Sequence, residues 1–257
     1  MDLSIETLKL EAFLMVLVRI ACFVAIAPVF GHKSINGRLR VLIAACISLT
    51  VFMAMNPDMP EYSTVFGFTF LLLKEAAVGL ALGFVSSLVM AIITMAGEFI
   101  DREIGFSMAQ SFDINSGTMT TISANLYDKL IYLIILITNL HYYILKAVVR
   151  SFEVIPLGGF NLNIIAMYTH VIGFIVEFFV IGFRIAMPIF IAATILNIIL
   201  GVMTKSSPQM NMFAIGIQLK IILGMLALAI MIMFIPNITN YLVEKMDSML
   251  TSVLGGM

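Results

Sequence analysis

Charge is what this chain has least of. Lys, Arg, Asp and Glu make up 11% of its 257 residues and 61% are hydrophobic, whereas an ordinary soluble domain is about 25% charged. A soluble domain with a solvated surface is therefore excluded. Its apolar segments are long enough to cross a bilayer and recur along the whole length, leaving one helical membrane domain as the reading. Basic residues are also few and scattered singly, 14 Lys and Arg against 15 acids for a net charge of -1, so the basic stripe that nucleic acid requires is missing. Only two cysteines occur, Cys22 and Cys46, both inside apolar runs without C-x-x-C spacing, and His32, His141 and His170 are isolated from them and from one another. Buried free thiols are expected, with no disulfide, metal or other cofactor. Motifs of enzyme chemistry are absent as well. "GVMTKSS" at 201–207 lacks the G-x-x-x-x-G-K frame that cradles phosphates, and neither G-x-S-x-G nor H-E-x-x-H occurs. A non-enzymatic protein is the expectation.

What is present is hydrocarbon in blocks. Apolar runs cover 12–30, 39–56, 65–96, 126–149, 164–203 and 212–236. Each reads as helix, because only a helix pairs all of its backbone polar groups within one segment of a low-dielectric phase. The first run is expected to be retained and not cleaved as an export signal, since "MDLSIETLKLEAF" carries three acids and one lysine and Arg19 interrupts the apolar core ahead of "AIA". The runs 65–96 and 164–203 exceed one simple span, so each is a strongly tilted helix, a hairpin or a broken helix, with Pro188 the expected kink in the second. Turn chemistry joins the runs in "FGHKSINGRLR", "MNPDMPEY", "VIPLGGFN" and "TKSSPQMN". The basic "HKSINGRLR" belongs on the cytoplasmic side, but carrying the positive-inside rule forward through single spans puts Lys146 and Arg150 on the wrong face. A simple serpentine topology is doubtful.

Two features stand out from this background. Arg19, Lys74, Glu75, Glu177, Arg184 and Lys220 lie inside apolar runs, where ionisable groups face protein or water rather than lipid. They read either as an ion pathway or as inter-helix and inter-subunit pairing. The carboxylates Glu75 and Glu177 have no acid or histidine neighbour at helical spacing, which favours pairing. The second feature is "EIGFSMAQSFDINSGTMTTIS" at 103–123, a polar, glycine-punctuated break. Within it Asp113 and Ser116 are candidate N-caps for the run starting near Asn125.

Four stretches taken in order carry a resemblance: "APVFGHKSINGRLR", "LLLKEAAVGLALGFV", "GEFIDREIGFSMAQSFDINSG" and "SSPQMNMFAIGIQLK". They resemble the FliR family of flagellar export-gate proteins, with the T subunit of injectisomes as the related alternative. The resemblance runs from about residue 11 to residue 245 and implies an all-α membrane-type fold of tilted and broken helical hairpins. It implies a P-like part over about 1–164 and a Q-like C-terminal helical hairpin over about 165–257, the latter turning at Pro208, Gln209 and Asn211. Gln218 departs from the proline expected before "LK". The implied partners are FliP-like and FliQ-like subunits, a FlhB-like switch protein and unfolded flagellar substrates, at the bacterial inner membrane in the flagellar basal body. A stand-alone secondary transporter is the reading from a different class, and the absence of an internal repeat speaks against it.

In the implied assembly the break at 103–123 blocks the export channel. A pore for an unfolded chain needs a seal that yields and recloses, made of soft apolar side chains on movable backbone. Gly105, Ser107 and Gly117 loosen the chain around Phe106, Met108 and Phe112, and Met119 could join the seal. The plainer reading is a connector packed between hairpins.

Overall fold

The computed structural model of the protein describes residues 2–256 apart from 33–34, 56, 58, 61, 63, 107–110, 114–117, 162–163 and 207–211. Seven helices carry almost all of it: α1 Asp2–Ile26, α2 Gly37–Met55, α3 Val65–Ile104, α4 Ile122–Ile137, α5 His141–Val154, α6 Ile164–Ser206 and α7 Met212–Gly256. Between α3 and α4 lies a small antiparallel hairpin, β1 Ser111–Asp113 with β2 Thr118–Thr120. The fold is otherwise all-α. By length and hydropathy α2, α3, residues 168–206 of α6 and residues 215–256 of α7 can each cross a membrane.

Local chemistry explains the boundaries that the apolar runs leave blurred. The run 126–149, which reads as one helix, is two. Asn139 takes the left-handed conformation, φ 58°, between α4 and α5, and asparagine tolerates that region better than other side chains with a Cβ. The long runs resolve the opposite way, because α3 and α6 are each one continuous helix and α6 continues through Pro188. Proline removes one backbone hydrogen bond there, but the residues on either side of it remain helical.

The chain forms two compact units, Met1–Val89 with Asn139–Phe174 and Val243–Met257, and Met90–Thr138 with Ile175–Leu242. In the first, α1 buries Ala12, Met15, Val16, Arg19, Ile20, Phe23 and Val24, a repeat of three and four residues that defines one helix face. Gly79 and Gly83 of α3 meet that face at the backbone of Arg19 and Phe23. A Cβ on Gly83 would sit 3.0 Å from the Phe23 carbonyl oxygen, and one on Gly79 would collide with that of Arg19. The pair is the small-x-x-x-small spacing that lets two membrane helices approach closely. On α2 only Ala44, Ser48 and Val51 are buried. Cys46 is therefore exposed and Cys22 half-buried, contrary to the burial expected of both. In the second unit the core comprises Ile92, Ile93, Ala96, Ile100 and Ile104 of α3 with Tyr127, Ile131 and Ile135 of α4 and Ile181 and Ile189 of α6.

Candidate functional site

The loop between α3 and α4 is held at its root by Asp101. This residue lies in the last turn of α3, where its own helix presents partial negative charge and an acid is unfavourable. It is fully buried and faces the first turn of α4. The backbone N–H of Ser123 donates to Asp101 Oδ2 at 2.7 Å, and the Ser123 hydroxyl donates to Asp101 Oδ1. The N-cap residue Thr121 supplies no side-chain cap of its own, so the carboxylate that caps α4 comes from α3. Asp113, a candidate cap on sequence grounds, lies in β1, and Ser116 is outside the described residues. A distant carboxylate does the job more strongly, being charged and already fixed in the core.

Packing tightens the same root. Gly97 of α3 lies against Ala124 of α4 so closely that an added Cβ would collide with its backbone. Phe99 stacks on Phe183 of α6 with ring centroids 4.6 Å apart and planes 22° apart. Ile104, at the end of α3, rests on Gly224 of α7, where an added Cβ would collide with the isoleucine side chain. Beyond Ile104 the chain leaves through Gly105, exposed at φ 96°, a conformation that favours glycine. Phe106 follows, half-buried. In the hairpin Phe112 and Met119 are direct cross-strand partners, with Ser111 opposite Thr120 and Asp113 opposite Thr118. Ser107, Met108 and Gly117 lie outside the described residues, as do Pro208, Gln209 and Asn211 of the α6–α7 turn.

A second centre sits in the other unit. Arg19 and Glu75 are both fully buried, and Arg19 Nε donates to Glu75 Oε2 at 2.5 Å. Arg19 Nη1 donates to the Ser151 carbonyl at 3.1 Å, to Ser151 Oγ at 3.3 Å and to the Ile155 carbonyl at 3.0 Å, while the guanidinium lies 4.2 Å from the centre of the Phe152 ring. The other Glu75 oxygen accepts the Gly158 N–H at 2.8 Å. Gly158 holds φ 72°, and Lys74 Nζ donates to its carbonyl at 3.4 Å. One ion pair thus ties α1 and α3 to the end of α5 and the turn after it. Both Glu75 oxygens are occupied, the arrangement of a strut rather than of a relay.

The other intramembrane charges stand apart from both centres. Glu177 and Lys220 are half-buried, and Arg184 is exposed. Arg184 borders a groove of about 650 Å³ lined also by Pro188, Met231, Asn237 and Tyr241. Gln218 is exposed on α7. The sequence reading missed Asp101, Ser123, Ser151 and the Gly79/Gly83 pair. Two of these had a signal: an acid in the last turn of an apolar helix needs a partner elsewhere, and "GLALG" carries the four-residue glycine spacing.

Comparison with known proteins is consistent over most of the chain. The family described as bacterial export proteins, family 1, matches residues 10–246. The chain is 31% identical over 245 residues to the flagellar biosynthetic protein FliR of Buchnera aphidicola subsp. Acyrthosiphon pisum (strain APS), covering 92% of this chain and 93% of that one. It is similar to the protein of the same name from Bacillus subtilis (strain 168), at 26% identity over 94% of this chain and 95% of that one. The Escherichia coli (strain K12) protein of that name is 26% identical, with 93% and 90% covered.

Proposed function

Because the chain belongs to the bacterial export proteins of family 1, we propose that it is an integral-membrane, non-enzymatic component of the flagellar export apparatus whose α3–α4 loop plugs a protein-conducting channel. The supporting observation is the anchoring of that loop. Its root is fixed by Asp101–Ser123, Gly97–Ala124 and Phe99–Phe183, while its body leaves the helical packing through a left-handed glycine into a short hairpin. A seal needs this combination. It must return to the same place after each passage, which a fixed root provides, and it must yield, which non-helical backbone allows. Irregular backbone within a membrane domain is tolerated where it lines a cavity or is buried in protein, and Phe and Met are the side chains such a seal requires.

The charges and long helices fit the same reading. The buried Arg19–Glu75 pair, both of whose carboxylate oxygens are occupied, is structural. Arg184, Glu177 and Lys220 on α6 and α7 are contacts for neighbouring FliP-like and FliQ-like subunits, and α6 with α7 forms the Q-like hairpin. A FlhB-like protein and unfolded flagellar substrates complete the set of partners, at the inner membrane.

The test is ion leak and export in cells carrying the chain without residues 106–118, with assembly of the complex measured in parallel. An assembled complex that leaks supports the plug. An assembled complex that exports and stays tight makes the loop a connector and overturns the reading.

A further inference from the structure

The groove that Arg184 borders follows the seam of α6 and α7. A Cβ on Gly216 of α7 would lie 3.1 Å from the Leu200 side chain of α6, and the groove itself joins residues 181–192 to residues 223–241, so the two helices are antiparallel neighbours. The polar groups of the lining are Arg184, Asn237 and Tyr241; the remainder is hydrocarbon, including Ala192, Leu223 and Leu226. Among the described residues Arg184 has no ion pair, and an arginine keeps its charge in any surroundings. Pro188, also in the lining, lacks the N–H that would otherwise donate to the Arg184 carbonyl. One end of an apolar groove thus presents a cation without an anion.

The same level marks a change along α7. Residues 221–236 are all apolar, and Asn237, Thr239, Asn240 and Tyr241 follow. From Arg184 to the end of α6 at Ser206 the helix rises about 33 Å, close to the roughly 30 Å of a hydrocarbon core. The length fits Arg184 at one membrane face and the α6–α7 turn at the other. From Asn237 to Leu223 the wall of α7 is about 21 Å long, enough for the tail of one leaflet, which is about 15 Å deep. Spread over that length, the 650 Å³ of the groove gives a mean cross-section of about 30 Å², against about 80 Å² for a helix about 10 Å across. A hydrocarbon chain fits this space and a whole helix does not.

We infer that the groove holds an acyl chain of an anionic phospholipid, with the phosphate on the Arg184 guanidinium and with Asn237 and Tyr241 beside the headgroup. The planar fork of arginine matches phosphate oxygens two at a time, and a tyrosine at headgroup level has its ring in hydrocarbon and its hydroxyl in the polar layer. A neighbouring subunit packed on this face then meets Arg184 through the lipid phosphate. The inference does not depend on the α3–α4 loop being a plug.

The experiment uses the assembled export complex, co-expressed with its P-like and Q-like subunits, in nanodiscs that carry one of two photoactivatable probes. These are phosphatidylglycerol and phosphatidylcholine with the same diazirine in the acyl chain, and labelled peptides are mapped by mass spectrometry. Phosphatidylglycerol should label residues 185–192 and 223–234 about tenfold more than phosphatidylcholine, the effect of one charge-assisted contact. Exposed positions on α2, such as Val41 and Met53, should take both probes equally. Arg184→Gln should bring the two probes level in the groove, and Arg184→Lys should keep most of the preference. Ala227→Phe, which fills the groove, should remove both labels there at equal assembly. Equal labelling in the unaltered complex overturns the anionic site and leaves bulk lipid in its place. A groove without label, while α2 is labelled, overturns it also and assigns the space to a neighbouring subunit. A preference that survives Arg184→Gln overturns the role of Arg184. If no complex forms, the same map is read on the full chain alone, so that failure of the assembly reading leaves this one tested.

Discussion

Removing the carboxylate of Glu75 should be among the most damaging single changes in the chain. Glu75→Leu takes from Arg19 its ion pair at Nε and takes from the Gly158 N–H the carboxylate oxygen that accepts it, while the guanidinium stays fully buried on three acceptors and the Phe152 ring. An arginine does not lose its proton to escape this, so the cost is that of an unpaired buried charge, about 3–5 kcal/mol. Arg19→Met strands the buried Glu75 carboxylate in the same way, leaving it the Gly158 N–H as donor, and should cost a similar amount. Arg19→Met with Glu75→Leu replaces the pair by apolar groups of similar volume. It should recover most of the loss, since Ser151 Oγ retains its bond to the Val148 carbonyl and the Ser151 carbonyl still accepts the Ile155 N–H. The assay is thermal denaturation of the detergent-solubilised complex, run on the four members of the cycle. If the two single losses add in the double variant to within about 0.5 kcal/mol, the residues are not coupled and the strut is refuted.

Other consequences follow from the same geometry. Gly79→Val should abolish accumulation of the subunit, because its side chain would enter the Arg19 backbone, and a membrane-fraction immunoblot reads this directly. Gly158→Ala should destabilise by about 1–2 kcal/mol through its left-handed φ of 72° and the Leu71 side chain 2.8 Å from the new Cβ; thermal denaturation of the complex checks it. Val29, β-branched at φ 69° just after α1, should be replaced by glycine with a gain of about 1 kcal/mol in the same assay. Tyr62, outside the helices, donates its hydroxyl to Glu11, and this bond holds its pKa above the usual 10.0. A phenol whose pKa is raised by folding contributes stability that is present below pH 10.0 and lost as the pH climbs past the folded value. Ultraviolet titration should show a late phenolate transition that Glu11→Gln moves earlier.

How far a sequence can be read here depends on the range of the force involved. Apolar runs report hydrophobic transfer, a property of each segment alone, and they locate the helices. The left-handed Asn139 is a local choice of backbone that hydropathy does not register, which is why α4 and α5 looked like one element. The continuity of α3 and α6 was equally hidden, since a long apolar run is compatible with one helix or two. For the loop, glycine and the mixture of Ser, Phe and Met marked a non-helical segment correctly. Its anchor was invisible because Asp101 and Ser123 are 22 residues apart in sequence.

The sequence by itself determined that this is a helical membrane protein of an export family, where the chain is interrupted, and which charges lie among hydrocarbon. Composition and apolar length decide the first, glycine and proline the second, and the sheer cost of a lone ion in an apolar phase makes the third conspicuous. Tertiary structure alone decided which charges meet. Arg19 finds Glu75 across 56 residues and Ser151 across 132, and the carboxylate that caps α4 comes from another helix. Such pairings arise when chain folding brings surfaces together, and electrostatic attraction carries no record of sequence distance.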